Sequence, residues 1–204
     1  GAWTGDTCLA VYGEQSGLTG TYARNVLFDG LSIPVSENTV LSYLIFPGLF
    51  NIKSYDYEYT SCRVIFDLHF TDGSLLSGLD AEDQYGMKLT PAGQVEGECL
   101  WTEQWNYIES RIGDVAAGKT IDRIDVYFDM DSAVDASRFI TFFDDLKIEN
   151  KAPVVYDHLS DYINILRGTN NDQAFSRGLC TPGVTLPNGF NFYTPVTNPA
   201  KNTA

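Results

Sequence analysis

The strand-like run Phe139 to Ile148, FITFFDDLKI, holds the first residue whose type and place suggest chemistry. If Leu146 and Ile148 face a core, a period of two puts Asp144 on that same inward face and sends Asp145 and Lys147 to solvent. A carboxylate so placed must be paired, hydrogen-bonded or bound to a metal, because an unpartnered charge is costly to desolvate. Glu14 and Asp6 are the candidate companions for a metal, and a hydrogen bond from Asp144 to a turn at the edge of the domain is the alternative.

A second pattern is Tyr55, Tyr57 and Tyr59 in YDYEY. An extended segment would show three rings on one face, with Asp56 and Glu58 opposite. Rings in a row suit the apolar faces of sugars, whose hydroxyls need polar partners; packing under a loop, or an interface rung, is the plainer use. Trp101, Trp105 and Tyr107 repeat the pattern, and Trp105 with Tyr107 reads as core or inter-domain contact. Catalysis finds less support. His69 and His158 are the two histidines, and neither stands beside a GxSxG serine or in an HExxH frame. His69 reads as a solvent-face strand residue. Asp129 and Asp131 in FDMDS read as a loop after a strand. Carboxylates are plentiful, but spacing in sequence does not locate a glycosidase pair.

The elements that must position these residues are strands. Between Arg63 and Phe70, Val64, Phe66, Leu68 and Phe70 fall on one face and Arg63, Asp67 and His69 share the other with Ile65, the pattern of a half-buried strand. It runs into Thr71-Asp72-Gly73-Ser74, a hairpin signal because Gly tolerates the positive φ of a tight turn. Similar patterns cover Leu9 to Tyr12, Tyr22 to Phe28, Val40 to Phe46, Trp105 to Ile112, Ile124 to Phe128 and Phe139 to Ile148. About seven short strands separated by turn residues predict an all-β, antiparallel, jelly-roll-like β-sandwich. Helical pattern is nearly absent until Asp157 to Arg167, where Ser160 would cap a short helix and Gly168 would end it. The expected organisation is a sandwich over 1–150, a linker with a short helix over 151–168, and an irregular tail over 169–204.

Composition narrows the function classes. The net charge of −14 and pI near 4.3 disfavour nucleic acid and anionic membrane surfaces as partners. No run of 18 apolar residues exists to span a bilayer, and the opening GAWTGDTC lacks the basic and apolar regions of a signal peptide. Cys8, Cys62, Cys99 and Cys180 form no CxxC pair and do not read as a structural zinc site; three disulfide connectivities, or none, are open.

The tail holds Gly168, Gly178, Gly183, Gly189, Pro182, Pro187 and Pro195 among Phe175, Phe190, Phe192 and Tyr193. Such a stretch breaks regular structure while showing rings that need a partner. It reads Tyr162-Ile163-Asn164-Ile165-Leu166-Arg167-Gly168-Thr169, then Phe175-Ser176-Arg177-Gly178, Pro182-Gly183-Val184, Leu186-Pro187, Gly189, Asn191 and Thr194-Pro195. This resembles the opening of the catalytic region of glycoside hydrolase family 92, the calcium-dependent exo-acting α-mannosidases. It departs from the family pattern at Leu179-Cys180-Thr181. The runs Ala23 to Pro47, Phe66 to Ser77 and Gln104 to Ile124 are similar to the accessory sandwich that precedes the catalytic part in some bacterial members. The strand around Asp144 also resembles the last strand of jelly-roll carbohydrate-binding modules, where the inward Asp is commonly a ligand of a structural calcium.

The resemblance implies the N-terminal, non-catalytic portion of a secreted or cell-surface bacterial enzyme. That enzyme would be inverting, acting on mannan or N-glycan mannosides with two carboxylates and calcium lying beyond this sequence. The sandwich would pack against the remainder of the mannosidase chain, and the piece alone would be inactive. Phe175, Ser176, Arg177 and Gly178 would sit at the rim of the substrate pocket. A free-standing carbohydrate-binding module using surface aromatics such as Tyr55, Tyr57 and Tyr59 is the alternative, as is a purely structural sandwich.

Overall fold

The computed structural model describes residues 1–14, 21–49, 60–130, 138–163 and Gly183; the side chains of Glu14 and Thr21 lie outside that description. The chain divides into two compact units, Gly1–Pro153 and Val154–Ala204.

The first unit is a sandwich of two antiparallel sheets. Its strands are β1 (Leu9–Glu14), β2 (Thr21–Phe28), β3 (Ile33–Pro34), β4 (Thr39–Pro47), β5 (Val64–Phe70), β6 (Asn106–Ser110), β7 (Thr120–Met130) and β8 (Arg138–Asn150). One sheet runs β1-β8-β4-β6; in the other, β7 is central, with β2 and β3 along one edge and β5 along the other. Alternation supplies the core between them. Leu41, Tyr43 and Ile45 of β4, Phe139 and Phe143 of β8 and Ile108 of β6 meet Val64, Phe66, Leu68 and Phe70 of β5 and Ile121, Ile124, Val126 and Phe128 of β7. Tyr43, Phe66 and Phe143 close its centre, with Tyr43 and Phe66 edge to face at 5.1 Å. Burial also pushes the Tyr43 phenol well above its usual range.

Four expectations need correction. β5 is not half-buried: Ile65 and Asp67 on its second face are 1% and 0% exposed. The chain after it returns through a 3-10 turn at Leu76–Gly78, and Ser77 donates from N and Oγ to Asp67 at 2.9 and 2.7 Å. The Thr71–Ser74 turn is present, with Gly73 at φ 84° and Ser74 O accepting from Phe70 N, but it leads into that 3-10 turn after a single bridge and not into a paired strand. Two short helices, α1 (Pro91–Glu96) and α2 (Gly113–Ala116), lie where none was read. In α1, Thr90 caps Gly93 N at 3.0 Å and Pro91 takes the first turn, where no N–H is needed.

The fourth correction concerns β8. Phe139, Thr141 and Phe143 point inward, and so do Leu146 and Ile148, which pack against the core. Between them Asp145 adopts φ 53°, and the pairing with β4 jumps from Leu44↔Asp144 to Ser42↔Lys147. This bulge sets two residues against Tyr43 and resets the alternation, so Asp144 lies on the outer face.

In the second unit, the described part of the stretch expected to be helical is one 3-10 turn, Leu159–Tyr162. His158 precedes it and Ser160 sits inside it without capping, while extended Ile163 ends it. Tyr156 and Tyr162 meet edge to face at 4.9 Å, and the Tyr162 hydroxyl accepts from Tyr156 N at 3.0 Å.

Candidate functional site

In a sandwich the inward half of each strand fills the core, and the outward half is free for other work. The outer face of the β1-β8-β4-β6 sheet is aromatic. Register sets Tyr12 opposite Ile140, Phe142 opposite Ala10 and Phe46, and Leu44 opposite Asp144 and Tyr107. Phe46 meets Phe142 edge to face at 5.9 Å and Trp105 at 5.6 Å. These three rings are half-buried, while Tyr12 and Tyr107 are 78% and 48% exposed. Toward β6 the face turns polar, where Glu109 accepts from the Tyr107 hydroxyl at 2.7 Å and from Lys151 Nζ at 2.6 Å. Burial pushes the Glu109 carboxyl up, but these two donors outweigh it and leave it below its usual range.

The outer face of the other sheet is built from charges. Asp67 of β5 and Asp125 of β7 are register partners, and both are 0% exposed. Arg24 of β2 reaches across with one atom, Nη1, which donates to Asp67 Oδ2 at 2.8 Å and Asp125 Oδ2 at 3.3 Å. Arg123 holds Asp125 from the side through Nε at 2.9 Å and Nη2 at 3.2 Å. The Arg24 guanidinium lies 4.1 Å from the centroid of the Tyr127 ring. Burial lowers the Arg24 pKa, but the Asp67 and Asp125 carboxylates raise it further, so the charge is fixed. Tyr127 donates to Asp129 at 2.6 Å; its phenol is pushed up to about 12, by burial first and then by that bond. Tyr22, opposite Asp129 in register, and Val26, opposite Asp125, are 73% and 57% exposed. At the far end of the face His69 Nδ1 pairs with Asp122 at 2.5 Å.

This network has a definite chemical character. Carboxylates wholly out of solvent cannot pass a proton to a bound molecule, so Asp67 and Asp125 are not an acid–base pair. What they do is hold two guanidinium groups in place beside a tyrosine ring, with Arg24 Nε and Nη2 unpartnered among the described residues. A buried ion network is commonly no more stabilising than well-packed apolar side chains, which leaves positioning as its distinctive effect.

The expected metal residues do not converge. Asp144 Oδ2 accepts from Trp3 N and Thr4 N, both at 2.8 Å, and Oδ1 from Thr4 Oγ1 at 2.9 Å and Asp145 N at 2.7 Å. Asp144 therefore ties the first residues of the chain to the edge of the sheet, and the hydrogen bond from Thr4 N leads the donors that hold its carboxyl below the usual range. Two donors on each oxygen occupy the lone pairs a calcium ion would take, so the arrangement does not fit that ion. Asp6 is exposed in the same segment, and the Glu14 backbone pairs with Arg138 at the opposite end of the β1–β8 ladder. Among the described residues no group of three His, Cys, Asp or Glu forms a metal site.

Tyr55, Tyr57 and Tyr59, the rim candidates Phe175, Ser176, Arg177 and Gly178, and Asp131 and Cys180 lie outside the described residues. Asp129 stands within β7 and not in a loop. Cys8, Cys62 and Cys99 are unbridged, and burial pushes the Cys62 thiol up to about 12. Among the described residues no helix is long and apolar enough to cross a membrane.

Arg24, Asp67, Arg123 and Asp125 were not singled out by sequence reasoning. The available signal was a row of polar residues, Arg123, Asp125, Tyr127 and Asp129, at alternate positions of a strand whose other positions are apolar.

No family model matches this sequence, and no curated protein matches it. Among solved structures, a crystal structure with a xylogluco-oligosaccharide aligns with 72% of this chain at 14% identity and a TM-score of 0.38. The aligned part is 32% of that protein, so this chain spans about a third of its length, and a likeness so distant carries no functional weight.

Proposed function

We propose that the sandwich is a non-catalytic carbohydrate-binding domain whose glycan surface is the outer face of the second sheet. One observation carries this reading: a wholly buried pair, Asp67 and Asp125, fixes Arg24 and Arg123 on a sheet face beside exposed Tyr22. Planar N–H donors suit sugar hydroxyls, Asp129 supplies an acceptor, and the tyrosine ring supplies a stacking plane for the apolar side of a pyranose.

The finer reading is the one the sequence motifs suggest, an accessory domain of a secreted bacterial, inverting α-mannosidase of glycoside hydrolase family 92. Its catalytic carboxylates and calcium would belong to the remainder of that enzyme, and its glycans would be α-mannosides. Support for this comes from the run that opens at Tyr162 and Ile163 and continues through Pro195.

α-Mannobiose tests both readings in one titration. The chain is expected to bind it and to release no mannose. Tyr22→Ala, at a position 73% exposed, is expected to fold normally and bind about tenfold more weakly; Tyr12→Ala on the aromatic face is expected to bind as the parent does. An absence of binding heat sinks the glycan surface. Free mannose in the cell would sink the non-catalytic reading.

A further inference from the structure

We infer that the second-sheet face selects uncharged saccharides and discriminates against those bearing a carboxylate, although its most conspicuous donors are arginines. The inference rests on the glycan reading above and adds the chemical class of its ligand.

Two arginines beside a tyrosine would ordinarily suggest an anion. Here each cation is already neutralised at contact distance. Arg24 stands between Asp67 at 2.8 Å and Asp125 at 3.3 Å, and Arg123 is bidentate on Asp125. The four groups sum to zero formal charge. Asp129, bonded to Tyr127, adds a negative charge to the same face, and Asp122, paired with His69, adds another at its end. The chain as a whole carries −14.

An incoming carboxylate could reach Arg24 Nε and Nη2, but the positive charge it would seek there is already balanced by two carboxylates that are 0% exposed and stay ionised beneath it. It would also approach Asp129, which register sets opposite Tyr22, two residues along β7 from the Tyr127 ring that Arg24 covers. A neutral hydroxyl meets neither obstacle. It can accept from Arg24 Nε or Nη2 and donate to Asp129 without removing any partner from the buried pair.

The test compares α-mannobiose with the same disaccharide oxidised at C6 to a uronate, titrated calorimetrically into the full chain at low and at high salt. The neutral sugar is expected to bind at least about tenfold more tightly at low salt, with the gap narrowing as salt screens the repulsion. Asp129→Asn is expected to narrow the gap as well, by raising the affinity for the uronate. Equal or tighter binding of the uronate overturns this inference and leaves the glycan surface standing. If neither sugar binds, the surface itself is refuted and the inference falls with it. Tyr22→Ala keeps the site assignment open to refutation, since an unchanged neutral affinity would move the glycan off this face and with it the charge argument.

Discussion

The two outer faces of the sandwich have the same geometric freedom and use it differently. On the β1-β8-β4-β6 sheet, Phe46, Phe142 and Trp105 shield one another edge to face, and the polar residues gather at one end. On the sheet centred on β7, the middle of the face is charged, and its carboxylates are hidden below the guanidinium groups that cover them. Aromatic cover is adaptable, since a lost ring is partly made good when its neighbours settle. A buried charge network is not, because removing one member strands the others. The second face is thus the one whose shape is most tightly prescribed, and rigidity is what a binding surface gains most from.

The largest test of that contrast is Asp67→Ala. It leaves two Ser77 donors without their acceptor and the Arg24 guanidinium with only its longer bond to Asp125. Chemical denaturation is expected to show a loss of about 3–5 kcal/mol. A loss below about 1 kcal/mol would mean that the network is as adaptable as the aromatic face. Phe142→Ala on that other face is expected to cost about 2 kcal/mol in the same assay, the ring being half-buried and in contact with Phe46; a cost equal to that of Asp67→Ala would erase the distinction.

The smallest effect sharpens the comparison at the edge of the aromatic face. The Asp144 carboxyl is held below its usual range by Thr4 N first and then by Thr4 Oγ1, Asp145 N and Trp3 N. A group whose folded pKa is depressed stabilises the fold fully above its unfolded value and loses that contribution as pH falls through the folded one. Acidification from the ordinary carboxylate range downward is therefore expected to loosen residues 1–7. Amide exchange at Thr4 and Asp145 reads this directly. Asp144→Asn should show the looser exchange already at neutral pH, with a stability change under about 1 kcal/mol because the site is largely solvated.

Much of the fold was legible because β-strands declare themselves through alternation alone. The seven strand patterns fall on seven of the eight strands, and only the two-residue β3 has too little length to alternate. The helix α1 was not read, because six residues show less than two turns of periodicity and the Thr90-Pro91 start stands alone. The charged network was not legible. Arg24 meets Asp67 and Asp125 across separations of 43 and 101 residues, and sequence does not state which strands become neighbours. Asp67 looked solvated because its strand alternates cleanly, and nothing local announces that Ser77 will fold back to cover it. Asp144 was misplaced for the opposite reason: alternation was trusted across a bulge whose positive φ falls on Asp145, not on a glycine that would have announced it.

That bulge makes β8 two strands in series with opposite phase. Residues 138–143 and 146–150 each obey the pleat, and Asp145 is the half-step between them. Shortening the chain by that one residue would leave composition and charge nearly untouched. It would nonetheless change the geometry, because Phe143 and Leu146 would then stand two positions apart and a continuous pleat would turn both toward the core, with Leu146 alone opposite Tyr43. A homologous chain lacking the residue would therefore keep the same apolar positions inward along the whole of its β8, whereas a chain that keeps it needs at this position a side chain that accepts a positive φ.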